Sequence, residues 1–268
     1  MKNVIIDELN EFLTSDYIYL PYNKDDINIR NDKVVYKGDN VSSNVYSPVS
    51  GRVYGLSEIS SIDGIKRVIV IENDFKDKEE YKRISNKDIY KLNKDIVKNT
   101  LKINETAIAF KINRRSSYDK KDSFILKDNV KIILETLNLI DIVYPSTKVK
   151  IIIDKKDVTS YQILFSYIGT YPNIDIEFKN KKNYKDYDIY NIIDIYNTLK
   201  NRVSRDFIYF TLIYKKMCFV IKCKKYTNLS EVLNYYEICP NKIVVNEKIQ
   251  IASPHYLLDE NIYLVSIV

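Results

Sequence analysis

The chain has 268 residues, enough for two or three domains, and its 45% hydrophobic and 29% charged residues are the proportions of a folded protein with real cores. Its formal charge of +6 is spread among acidic residues rather than gathered into a patch, which argues against nucleic-acid binding. The 24 Tyr without a single Trp look like the drift of an AT-rich genome, so Lys and Tyr counts carry no argument.

Asp7, Glu8 and Glu11 near the start are unlike a secretory leader, and the longest apolar run, Phe207 to Tyr214, is far shorter than the roughly 20 residues a membrane-spanning helix needs. Three cysteines, Cys218, Cys223 and Cys239, without a leader point to reduced thiols in a cytoplasmic protein.

Taken in order, Ile5, Leu9, Phe12 and Leu13 recur at helical spacing and predict a short amphipathic helix over residues 1–16. Residues 17–84 turn to short strands. Within them Lys37-Gly38-Asp39-Asn40-Val41 gives one turn, and Val45-Tyr-Ser-Pro-Val-Ser-Gly-Arg-Val-Tyr-Gly-Leu56 gives a corner. There Pro48 presets a bend and Gly51 supplies a backbone conformation that a side chain would penalise. Asn73 to Arg83 reads as a solvated, charged linker. Ser85 or Asn86 then caps a helix with Ile89, Leu92, Ile96 and Val97 on one face.

From Thr106 strands and helices alternate: strand 106–112, helix 122–140, strand 148–153, helix 157–168 closed by Gly169, strand 173–178 and helix 188–203. Three strand-helix units predict a parallel sheet over 85–205, with ligand-binding loops after Ile112, Ile153 and Phe178. Residues 206–268 read as two strands, a short helix at 229–236 and further strands, which suits a β-grasp module.

A Gly-Asp turn followed by Ser-Pro-x-Ser-Gly-x-Val is the order found in biotinyl and lipoyl modules. With Ile71-Glu-Asn-Asp74 added, the stretch resembles the N-terminal domain of RnfC, the peripheral subunit of Rnf-type electron-transport complexes, and of PduS-type cobalamin reductases. The resemblance implies a multidomain α/β chain. Its parts would be an N-terminal barrel-sandwich hybrid (biotinyl/lipoyl-like), a central Rossmann-like parallel α/β domain related to the flavoprotein subunit of complex I, and a C-terminal soluble-ligand-binding (SLBB-like) β-grasp domain.

The family's chemistry is harder to find. A glycine-rich loop can cradle flavin and nicotinamide phosphates because its amides are unobstructed, yet between Leu92 and Phe178 the only glycine is Gly169, at a helix end. The family's Asn-x-x-Glu-x-Glu-Pro-Tyr stretch aligns with Asn113 to Tyr118 and Asp122, but Arg114 and Arg115 stand where acidic residues are expected. Those arginines read either as an anion or partner contact or as an ordinary solvated loop.

No four-cysteine cluster run is present; Cys218 and Cys223, five apart, fall on opposite faces of a strand, and all three cysteines, Cys239 included, read as buried small hydrophobes. His255 stands alone and receives no role, Asp157 reads as a helix N-cap, and no lysine occupies the carrier position between Val41 and Tyr46. The resemblance therefore implies a degenerate RnfC-like subunit without catalytic, cofactor-binding or metal residues, its ancestral FMN, NADH and iron-sulfur clusters lost. It would dock on protein partners such as membrane subunits of a redox complex, with no nucleic acid and no membrane span of its own. Two alternatives stay open: a working flavin- and NADH-dependent redox subunit with an atypical site, and a ligand-sensing or structural protein unrelated to electron transport.

Overall fold

A computed structural model describes residues 4–23, 31–42, 45–77, 107–112, 118–155, 157–171, 174–178, 185–201 and 205–268. The fold is mixed α/β with several sheets, one wholly parallel and one mixed. It divides into two compact units, residues 1–81 with 205–268, and residues 82–204.

The chain begins with strand β1 (Val4–Phe12), not the expected helix over 1–16. Val4, Ile5 and Ile6 form a β-branched start, and a bulge between Ile5 and Leu9 resets the alternation of the strand. That is how residues at helical spacing are accommodated in an extended segment that ends on buried Phe12. There follow β2 (Tyr17–Pro21), β3 (Val34–Val35), β4 (Asn40–Ser42), β5 (Val45–Tyr46), β6 (Gly51–Ser61) and β7 (Gly64–Asn73). An antiparallel sheet runs in the order β2-β7-β6-β3, and β4 pairs with β5. Ile18, Leu20, Val53, Ile69 and Ile71 alternate inward from the sheet onto Val41 and Val49, as strand periodicity requires.

The Ser-Pro-Val-Ser-Gly corner is held by its own polar groups. Ser47 donates its Oγ to Val49 O at 2.7 Å and its amide to Asp39 O at 2.9 Å, while Ser47 O accepts the Gly38 amide at 2.7 Å. Ser50 Oγ donates to Asp74 Oδ1 at 2.6 Å, and the Asp74 amide returns to Ser50 O at 3.1 Å. Gly51 is required for space rather than for an unusual φ: a Cβ there would stand 2.0 Å from Glu72 O on the neighbouring strand. Of the stretch expected as solvated linker, Asn73 is instead a buried end of β7 and Asp74 is half-buried, whereas Phe75, Lys76 and Asp77 are exposed as expected, Asp77 pairing with Lys224. The rest of that stretch and the helix expected at 89–97 lie outside the described residues.

In the second unit, β8 (Ala107–Ile112), α1 (Lys121–Val143), β9 (Lys148–Ile153), α2 (Val158–Ile168), β10 (Ile174–Phe178), β11 (Lys185–Asp188) and α3 (Ile189–Asn201) follow the expected alternation, with β11 added. The sheet order is β10-β9-β8-β11, all parallel. Ile151, Ile152 and Ile153 are consecutive and all buried, the mark of a strand covered on both faces. Asn129 breaks α1 at φ −123° and donates its side-chain amide to Ile125 O at 3.0 Å.

The first unit is completed by β12 (Phe207–Tyr214), β13 (Met217–Lys224), α4 (Leu229–Tyr235), β14 (Ile243–Val245), β15 (Ile249–Ile251) and β16 (Leu264–Ile267). These join β1 in one sheet of order β1-β13-β12-β16-β14-β15, with β12 parallel to β16 and β13 parallel to β1. Leu229, Val232 and Leu233 of α4 cover its inner face against Phe12, Phe210 and Ile221.

Residues 17–77 and 206–268, expected as separate domains, pack as parts of one unit. Leu257 joins Ile59, Val68 and Val70 in a small shared core, and its amide donates to Ser60 O at 2.8 Å. Lys224 Nζ sits 3.0 Å from Asp77 and 3.3 Å from Asp206, and Lys37 Nζ sits 2.7 Å from Asp206. Burial alone would raise the Asp206 carboxyl, but Lys224 and Lys37 outweigh it and hold it below its ordinary value.

Two outcomes are expected in chemical denaturation. Gly51→Ala loses about 1–3 kcal/mol by overpacking against Glu72, whereas Gly55→Ala, with no atom within 4 Å of the added carbon, is near neutral. Asp206→Asn loses about 1–2 kcal/mol at neutral pH because buried Lys224 and half-buried Lys37 each lose one of two carboxylate partners, Asp77 being the one that stays. Since the native carboxyl titrates below 3.8, that loss shrinks as pH falls through its native value.

Candidate functional site

In an open parallel sheet, ligands bind beyond the carboxyl ends of the strands, where helices begin. Three helices of the second unit begin there: α1 after β8, α2 after β9 and α3 after β11. A helix start presents amides without intrahelical acceptors and the positive end of the peptide dipoles, which together attract phosphate.

At each of these starts an aspartate of the chain takes a first-turn amide. Asp119 Oδ1 accepts the Lys121 amide at 3.1 Å, Asp157 Oδ1 accepts the Ser160 amide at 3.1 Å, and Asp188 Oδ1 accepts the Tyr190 amide at 2.7 Å. Asp157 is the N-cap of α2, as its position in the sequence predicts. Its second oxygen accepts Ser123 Oγ of α1 at 2.6 Å and Ser160 Oγ at 2.7 Å, so one carboxylate ties two helix starts together. Asp119 and Lys121 are fully buried and Asp122 nearly so, with Lys121 Nζ 5.0 Å from the centre of the Tyr190 ring. The edge is thus packed with the chain's own charges. Each of the three carboxylates takes one first-turn amide and sets a negative charge at a helix start that would otherwise attract phosphate.

Gly169 caps the C-terminus of α2, at the opposite end of that helix from this edge. Arg114, Arg115 and Asn113 lie outside the described residues, as does the segment after Phe178; Tyr118 is half-buried.

Elsewhere, His255 is exposed and its Nδ1 lies 2.6 Å from Asn228 Nδ2, with the ring edge-on to Tyr19. Asn228 Oδ1 caps α4 through the Ser230 amide and also accepts the Tyr256 amide, so His255 is part of a loop anchor. Cys218 and Cys223 are buried, and burial pushes the Cys223 thiol well up, leaving it protonated and unfit as a thiolate ligand. Cys239 is exposed, unlike the buried site expected for it. Among the described residues no group of three His, Cys, Asp or Glu could hold a metal ion, and no helix is long and apolar enough to cross a membrane. A hollow of about 780 Å³ beside the first unit's antiparallel sheet is lined by Tyr22, Asn23, Glu58, Lys66 and Arg67, but Arg67 faces Glu58 and Lys66 faces Asp63 and Asp259.

No protein-family model matches the chain, and no curated protein matches its sequence.

The residues that define this edge were partly legible. Asp157 ahead of an apolar helix is a recognisable cap, and Asp119 and Asp188 carry the same local signal, an acidic residue one or two positions before a helix. The bond from Ser123 to Asp157 joins residues 34 positions apart and has no local signature.

Asp157→Ala is expected to lower stability by about 1–2 kcal/mol, the cost of a lost cap. Ser123→Ala is expected to lose about 1 kcal/mol or less, since one hydroxyl bond to that carboxylate goes while its two bonds to Ser160 stay. Equilibrium denaturation with a matched Val158→Ala control measures both.

Proposed function

We propose that this chain is a degenerate RnfC-like protein, a non-catalytic docking scaffold of a membrane-associated electron-transport complex. Support for the ancestry comes from the Ser-Pro-Val-Ser-Gly corner locked to Asp74 at the end of the Ile71-Glu-Asn-Asp stretch, in a small sheet with the antiparallel connectivity of a barrel-sandwich hybrid. The parallel order β10-β9-β8-β11 fits a Rossmann-like domain. The order β13-β12-β16-β14-β15, a hairpin and a helix followed by three strands with first and last parallel, supports a β-grasp reading, with β1 added at its edge.

The observation that carries the loss of chemistry is the carboxylate at each helix start of the parallel sheet. Flavin and nicotinamide are gripped there by backbone amides, and in this chain Asp119, Asp157 and Asp188 occupy amides at those starts. A chain with the architecture and without the grips retains one role of the family, holding partners in place. It would sit at the inner face of the membrane through those partners.

Purification of the tagged chain from its own cells tests this. The expected result is a colourless protein that brings with it identified membrane or flavoprotein subunits of a redox complex. A stoichiometric yellow flavin, or reduction by NADH, would overturn the non-catalytic reading; partners without any redox or membrane subunit would overturn the assignment to electron transport.

A further inference from the structure

Ser15 and Asp16 form the corner at which the chain leaves the six-stranded sheet through β1 and enters the antiparallel sheet through β2. Asn73 at the end of β7 donates its side-chain amide to Ser15 O at 2.8 Å and its backbone amide to Asp16 O at 2.9 Å. Ser15 Oγ and Thr227 Oγ1 share a hydrogen bond of 2.8 Å, both residues fully buried. The fourth attachment is to α4, where Glu231 Oε2 accepts the Asp16 amide at 2.9 Å.

Glu231 is unusual among these partners. Its Oε1 is buried and makes no well-formed hydrogen bond, the Tyr17 amide and the Ser15 hydroxyl acting on the carboxyl only from near by. The titratable groups facing it are the Asp16 carboxylate and, on β2, the phenols of Tyr17 and Tyr19, all of them acidic. A charge placed on Glu231 is therefore stripped of water on one oxygen and set beside another negative charge.

We infer that Glu231 is a proton-controlled latch between α4 and the Ser15-Asp16 corner, closed when the carboxyl is protonated and loosened when it ionises. Desolvation, joined by the Asp16 charge, pushes the carboxyl up to about 7, against the Asp16 and Tyr17 amides and the Ser15 hydroxyl, which favour the ionised form. A carboxyl raised in this way binds its proton more tightly in the closed corner than in the open one. Its contribution is fully present below the ordinary value of 4.5 and is lost as pH rises toward about 7. The seam between the two sheets of this unit thus responds to pH between 4.5 and about 7, whatever the chain docks on.

Hydrogen exchange on the full chain tests the latch. Protection of the Asp16 amide, corrected for intrinsic base catalysis, is expected to fall by up to about tenfold per pH unit across the interval from 4.5 to about 7. In Glu231→Gln it should stay at the acid level throughout. A wild-type profile flat with pH, or a variant that follows the wild type, would overturn the proposal. A carbon-13 titration of the Glu231 carboxyl in the wild type needs no variant: a midpoint near 7 supports the latch, and one near 4.5 sinks it.

Discussion

Every helix start leaves amide hydrogens that the helix itself cannot satisfy, and what answers them decides what the end of a parallel sheet can do. In the parallel sheet of this chain the answer comes from aspartates one or two residues upstream of each of its three helices. The arrangement stabilises the helices locally and, by the same bonds, places negative charge where a cofactor phosphate would need the opposite. Asp157 goes further, since Ser123 and Ser160 converge on its second oxygen and pin α1 against α2.

The first unit shows a similar economy at its corner. The residues on which the family resemblance rests all have structural work within the unit. Ser47 and Ser50 tie the loop to itself and to Asp74, Gly51 lets β7 pass at a distance no side chain tolerates, and the Pro48 carbonyl lies 3.5 Å from Lys224 Nζ. A motif whose every member takes part in packing is held in place by stability alone, because its loss would cost folding free energy.

Legibility in the sequence followed the range of the interactions. The parallel unit was readable because its apolar runs and caps are local: Asp157, Gly169 and the strand Lys148–Ile153 fall where the pattern places them. Strand β1 was not, since its pairing partner lies more than two hundred residues away and its bulge imitates a helical period. Strand β11 escaped because Lys185-Asp-Tyr-Asp188 is polar and short, and it becomes a strand only through its register on β8. Glu231 gave no sign at all. On an amphipathic helix it reads as a solvated residue, whereas in the fold its Oε1 is buried and its Oε2 accepts the amide of Asp16, 215 positions away.

Whether the helix starts of the parallel sheet are already occupied decides between a scaffold and a cofactor-binding subunit. Titration of the isotopically labelled chain with FMN, following the amide signals of Lys121, Ser160 and Tyr190 by NMR, addresses that directly. Signals that do not move at any FMN concentration are the predicted result; saturable shifts of those three amides at one flavin per chain would contradict it.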